Sequence, residues 1–392
     1  MEVSQYEYLR YNKLLLSVIG QWPLQKGTER VLVTIVFASI VFAQALLQGG
    51  GIITALYNAD IDAAMEGFSP FIISCMCLCK LANSIVNYQQ MDDLFHIIRT
   101  DWELYSISNY ESNLLRRKYA LAKRVTLSYA ASLYGTMAPF SAVPTVLTAA
   151  DVLGFYNASG ERPLVFRVEH FVDTEKYYYA LLVHSYFGTL GFVTLVLAID
   201  SMIVVYVQHA CAMCDILGHR LEEFLEADKI MIELRPEKKQ DRAYQNARKC
   251  IIFQWSIFKY LRYATKLENA NTTSYLVQMG LNMIGISFTL FQVVMKLETP
   301  NDALRYILFY GCLLSVGFVE SWPVICNEFT ILMNAKWYNA SLGARKILSI
   351  MMLRCVTPLK LTAGKMYVLN FENFSAVLRT SFSYFTVLRS MQ

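Results

Sequence analysis

Basic residues gather in every second connector between seven apolar stretches, a spacing that a soluble fold has no reason to produce. The stretches run near Val31–Ala59, Phe68–Val86, Val125–Ala149, Tyr177–Ala198, Thr272–Met295 and Tyr306–Val319, with a weaker one at Phe374–Leu388. The segment before the first carries Arg10, Lys13, Lys26 and Arg30, whereas the connector Asp60–Glu66 has no base. The next connector holds Arg99, Arg116, Arg117, Lys118, Lys123 and Arg124, and the one after it, Asp151–Lys176, has more acids than bases. Eleven bases lie between Arg220 and Lys266, the connector Lys296–Arg305 is short, and the last brings Lys336, Arg345, Lys346, Arg354, Lys360 and Lys365. Cytoplasmic loops retain Lys and Arg. The pattern therefore predicts a cytoplasmic N-terminus and, after seven spans, an extracellular C-terminus.

Composition agrees with a membrane protein. The chain is 55% hydrophobic with a mean hydropathy of +0.34. Its 17% charged residues fall well below the roughly 25% of ordinary globular domains. Seven helices of about 20 residues fill a little under half of the 392 residues. The expected fold is an all-α membrane protein with seven transmembrane helices and a helical cytoplasmic anchor region. A net charge of +4, dispersed among inner connectors, reads as orientation signals rather than a nucleic-acid surface. Residues 1–30 show no short apolar core followed by a cleavage site, so the first span is expected to act as its own insertion signal. All nine cysteines fall in spans or on the cytoplasmic side, which predicts reduced thiols and no extracellular disulfide.

The inner connectors read as helical extensions. Residues 1–28 suit a short helix at the membrane surface, and Asp92–Tyr119 alternates apolar and charged positions at helical spacing. His209–Ile232 places Ile216, Leu217, Leu221, Phe224 and Leu225 on one stripe. Arg235–Arg242 reads as an exposed turn before a further amphipathic helix to Asn269. His209, Cys211, Cys214 and His219 superficially suggest zinc, but one continuous helix points them in different directions. No nucleophile–base pair, phosphate loop or dinucleotide fingerprint occurs, so neither an enzyme nor a cofactor is expected.

Two features point to function. Aromatic residues crowd the outer ends of the spans. Part of them forms an interfacial belt, and part suits an apolar cavity in the outer half of the bundle. The candidate pocket residues are Phe71, Met137, His184, Phe187, Met283, Phe288 and Tyr310. The weak last span holds Asn373, Ser375, Arg379, Thr380, Ser381, Ser383 and Thr386, a face unsuited to lipid and suited to lining water.

The C-terminal third carries a family resemblance. It contains Trp337-Tyr338, Arg345-Lys346, Thr357-Pro358, Gly364-Lys365, Phe371-x-x-Phe374 and Thr380-Ser-Phe-Ser383-Tyr384-Phe385. In order and spacing this resembles the signature of insect odorant receptors, and Leu15–Pro23 is similar to receptors of ants, bees and wasps. The resemblance implies an odorant-gated, non-selective cation channel in the plasma membrane of olfactory sensory neurons. It implies a tetramer in which a ligand-tuned subunit pairs with a co-receptor subunit, in contact with membrane lipid and with a small volatile or hydrophobic ligand. It divides the chain into a cytoplasmic segment 1–28, spans one to six with the pocket over 29–333, an anchor helix region 334–366 and a pore-lining seventh span 367–392. It also places Val387 and Met391 at an outer gate, with Ser390 beside them and Arg379 deeper. An apolar ring of this kind would block ions by dewetting. Met333 and Gln254 depart from the Tyr and His usual in the family at the anchor. The long cytoplasmic insertion of the co-receptor is missing between spans four and five, which marks a tuned subunit.

Three rivals explain less. A gustatory receptor shares the topology, but such chains usually end in Gln-Phe a few residues after Thr-Tyr, unlike Leu388–Gln392. A transporter predicts internal symmetry and broken helices in both halves, and neither is evident. A G-protein-coupled receptor has the opposite orientation. The orientation is testable through the sequons Asn157-Ala-Ser159, Asn271-Thr-Thr273 and Asn339-Ala-Ser341, of which only the first is expected outside. Glycosidase should shift the protein's mobility only when Asn157 is intact; sugar on Asn271 or Asn339 would reverse the topology.

Overall fold

Every one of the seven apolar stretches is helical. The computed structural model describes residues 3–153, 165, 176–234, 239–297, 300–322, 345–346, 349 and 361–390. Within them a surface helix α1 (Val3–Val18) leads into α2 (Gly27–Tyr57) and α3 (Ile61–Val86). Then follow α4 (Tyr88–Tyr105), α5 (Asn109–Val152), α6 (Tyr178–Leu234), α7 (Lys239–Met295) and α8 (Pro300–Glu320). A short hairpin, β1 (Thr362–Ala363) and β2 (Tyr367–Val368), precedes the last helix α9 (Phe371–Ser390). Asn157, Met333, Asn339 and Met391 lie outside the described residues.

Local chemistry sets the breaks. Asp60 caps α3 by accepting from the Ala63 N–H at 3.0 Å, and Ala59 turns the chain with φ 56°. Asn87 closes α3 by donating to the Asn83 side chain and to the Ala270 carbonyl, both at 2.9 Å. The extension expected over Asp92–Tyr119 is two helices, α4 and α5, divided at Ser106–Ser108. Only the last part of the anchor region expected at 334–366 is described as a continuous run, and it is a hairpin rather than a helix. Thr362 pairs with Val368 and Ala363 with Tyr367, because Gly364 and Lys365 both adopt positive φ (61° and 59°) and close a tight turn.

Among the described residues five helices are long and apolar enough to cross a membrane by composition: α2, α3, α7 and α8, and α6 through Arg220. The spans in α5 and α9 are more polar. Helix α6, apolar on all sides over its span, is the buried post against which α1, α2, α3, α5 and α7 pack. Helix α2 turns Val31, Leu32, Ile35, Phe42, Leu46 and Ile53 outward, an apolar face that suits lipid.

The buried apolar residues form two cores. The inner core joins α1, α4, the start of α5, Ala198–Ile216 of α6, Tyr263–Tyr275 of α7 and the hairpin. It is built on aromatic edges: Trp102 meets Tyr119 at 4.8 Å and Trp22 meets Phe95 at 5.0 Å. The outer core joins Ile72–Leu81 of α3, Tyr129–Met137 of α5, Leu182–Leu197 of α6, and Phe309–Val316 of α8.

Phe95 is fully buried in the inner core and Leu46 is 57% exposed on the outward face of α2. Phe95→Ala should lower the stability of purified receptor by about 3–5 kcal/mol, whereas Leu46→Ala should change it by roughly 0.5 kcal/mol or less. Thermal melts of the two variants check this; equal losses would mean that the inner core is misassigned.

Candidate ligand cavity and its polar floor

In the outer half, α3, α5, α6 and α8 line an apolar cavity that is open on one side. Met76, Leu133, Met137, Val196, Phe309 and Val316 represent its four walls. Pro70 of α3 also faces it, which leaves that helix short of one backbone donor there. Thr189 and Cys312 also line it, but the Thr189 hydroxyl is spent on its own helix, donating to the Ser185 carbonyl at 2.8 Å. An apolar space of this kind holds apolar molecules by shape and area rather than by hydrogen bonds.

The structure distributes the candidate pocket residues unevenly. Met137 lines the cavity and is buried. Phe71 turns away from it toward α2, where its ring lies 3.3 Å from the position a Cβ would take on Gly49. Phe288 pairs with Phe68 at 4.7 Å on the α3–α7 side. Phe187 is 62% exposed on the outside of α6. Met283 offers its carbonyl to Ser381 of α9 at 3.3 Å, and Tyr310 packs on the outer core, while His184 is half-buried on α6. The reason is rotational. Aromatic content places a residue near the outer membrane surface, but only the packing of α3 and α6 decides which of their faces turns inward.

Directly beneath the cavity lies a cluster that the sequence reading passed over. The Lys80 ammonium donates to Asp200 Oδ1 and to Glu320 Oε1, each at 2.6 Å, and the Tyr129 hydroxyl donates to Asp200 Oδ2 at 2.9 Å. All four side chains are buried, and each comes from a different helix, α3, α6, α8 and α5. The signal was present in the sequence: Lys80 is a lone base within the apolar stretch Phe68–Val86, and Asp200 and Glu320 stand just beyond the ends of two others. Ionisable residues in spans are costly unless paired with one another. Breaking such a pair strands a buried charge, at a cost of about 3–5 kcal/mol.

A second network ties the inner bundle. His209 places one ring nitrogen 3.2 Å from Asp101 and the other 3.2 Å from the Tyr119 hydroxyl, while Lys259 also donates to Asp101. Burial, and next the nearby Asp101 charge, push the Tyr105 phenol up to about 12. At the surface of this region the Lys266 ammonium, bonded to Asp93 at 2.7 Å, holds that carboxyl below its usual range.

Helix α9 packs on α7 and α8. Its Leu378 joins the outer core, while Arg379, Val387 and Ser390 lie on the exposed side; Arg379 donates to the Ser375 hydroxyl of its own helix at 3.4 Å.

Comparison with known proteins agrees with this geometry. The family described as 7tm odorant receptor matches residues 60–382. Odorant receptor 13a of Drosophila melanogaster is 22% identical over 405 aligned residues, covering 96% of this chain and 94% of that one. Odorant receptor 82a of the same organism is 24% identical over 138 residues, 34% of this chain and 36% of the other. In fold, the insect olfactory receptor OR5 from Machilis hrabei in complex with eugenol superposes with a TM-score of 0.79 at 13% identity, covering 99% and 98% of the two chains. The structure of the same receptor described without that ligand gives 0.76 at 13% identity, covering 99% of each. The chain belongs to the 7tm odorant receptor family.

Proposed function

We propose that the chain is a ligand-tuned subunit of an odorant-gated, non-selective cation channel in the plasma membrane of olfactory sensory neurons. A small hydrophobic odorant occupies the cavity between α3, α5, α6 and α8, and α9 lines a pore completed by other subunits, the co-receptor among them. The observation that carries the reading is the apolar, four-walled cavity in the outer half of a seven-span bundle. A structural neighbour in complex with eugenol supports a ligand of that size. The polar, exposed face of α9 supports the pore assignment: Arg379, Thr380 and Ser383 turn away from the bundle, where lipid would leave them poorly solvated. Val387 sits on that exposed side within the last turn of α9, as a gate of apolar side chains requires. Met391 completes the proposed ring.

Val193 is buried on the cavity wall. Val193→Trp should fill the space and abolish odorant-evoked current at unchanged surface expression. Met137→Ala should reorder odorant sensitivities by roughly 1–3 kcal/mol of apolar contact, while Phe187→Ala, on the outside of α6, leaves the order intact. The test is a whole-cell recording across an odorant panel with and without co-receptor; retained responses in Val193→Trp would place the ligand elsewhere.

The gate has its own assay. Val387→Ser should wet the constriction and leave standing cation current without odorant. Leu378→Ser faces the outer core and should not. Equal basal currents at matched surface expression would remove Val387 from the gate.

A further inference from the structure

Four helices repeat one register between the cavity and the ion cluster. Met76 and Lys80 of α3, Leu133 and Tyr129 of α5, Val196 and Asp200 of α6, and Val316 and Glu320 of α8 are each four residues apart. In every case the cavity residue is one turn farther out, so the cluster forms a polar floor about 5–6 Å beneath the apolar lining. On its inner side Asp200 and Glu320 border a second, smaller space together with Tyr275 and Trp322. The cluster thus separates two spaces, and Glu320 borders the one away from the proposed ligand site.

The same stretch of α8 touches the last helix. A Cβ on Gly317 would stand 2.7 Å from the Phe374 ring of α9 and 2.5 Å from the Asn282 amide of α7, so the helices meet where only glycine fits. Phe318 stacks on Phe371 at 5.0 Å, and Trp322 meets the same ring edge-on at 6.1 Å. Within seven residues, then, the inner end of α8 and the two residues after it line the cavity at Val316, hold Lys80 at Glu320 and grip the first turn of α9 at Gly317, Phe318 and Trp322.

We propose that the inner end of α8 with the two residues after it, Val316–Trp322, couples the cavity to the last helix, with the Lys80–Glu320 ion pair as the lock that holds the resting state. This rests on the channel reading above. A ligand bearing on Val316 shifts a stiff helical turn whose far end is pinned by the ion pair and whose outer flank bears on Phe371 and Phe374. Release of Glu320 toward the inner space lets that turn move, and α9 moves with it. Glu320, Gly317 and Phe318 are positioning residues; none of them lines the cavity. A two-state element biased at both ends is what coupling between sites requires.

The experiment records ligand-free cation current, as a fraction of the maximal current, from full-length receptor co-expressed with co-receptor at matched surface expression. Maximal current is taken with the strongest activator among straight-chain alcohols, aldehydes, esters and terpenes. Glu320→Gln and Gly317→Ala should each raise the ligand-free fraction by about fivefold or more, with the order of odorant potencies unchanged. Phe187→Ala, on the outside of α6 and away from the cavity, should leave that fraction alone. If Glu320→Gln does not reach the surface, Gly317→Ala and Phe318→Leu decide. An unchanged ligand-free fraction in every variant that reaches the surface overturns the coupling, as does a reordered potency series. A response that survives Val193→Trp instead removes the cavity reading beneath it, so the two failures are distinct.

Discussion

A lysine ammonium inside an apolar span is the condition around which this bundle is arranged. Lys80 has no water to turn to, so two carboxylates must come to it from other helices, and Tyr129 must complete the second oxygen of Asp200. That requirement fixes the rotation of α3, α5, α6 and α8 together. A helix advances about 100° per residue, so slipping any of the four by one position would turn its polar member out of the cluster. The face that each helix shows one turn farther out is settled at the same time, and those faces are the walls of the cavity. Ligand space and ion cluster are therefore two readings of one set of helix rotations.

The two cores answer to different solvents. In the outer half, α2 turns large aliphatic side chains outward, and the buried polar groups sit between helices: Ser69 and Thr289 at 3.2 Å, and Gln48 with Ser74. In the inner half the surface carries ion pairs, such as Arg99 with Glu103 at 3.5 Å and Lys266 with Asp93 at 2.7 Å. Exposed pairs of this sort contribute little to stability. What holds the inner bundle is aromatic packing around Trp102, Tyr119 and Tyr263, with His209 and Asp101 satisfied in its centre. The boundary between the cores runs through the Lys80 cluster, since Leu197 belongs to one and Ala198 to the other.

Helix α9, like α2, commits one side to the bundle, but its open side carries polar groups. Leu378 and Ser381 engage the bundle, the latter through the Met283 carbonyl, while Tyr384 and Val387 stay open. Its hydroxyls are mostly satisfied within the helix: Thr380 donates to the Ala376 carbonyl at 2.9 Å and Ser383 to the Arg379 carbonyl at 3.1 Å. Such a helix is stable beside water without needing lipid.

Periodicity and charge determined much of this protein by themselves. Apolar length fixed where the spans lie, because a bilayer demands a continuous stretch of it, and the residues from Trp337 to Leu388 carried the family. The polar face of the last span was also legible, since hydroxyls and Arg379 recur at helical spacing. Helix rotation was not. Phe71, Phe187 and Met137 were all candidate pocket residues; the structure turns the first toward α2 and the second outward, and sets Met137 on the cavity wall beside Val316, which the sequence did not mark. Lys80, Asp200 and Glu320 stand 120 residues apart in succession, and nothing local marks them as partners. Only the tertiary structure could join them, because their pairing depends on the mutual rotation of separate helices, which sequence spacing along any one of them does not encode.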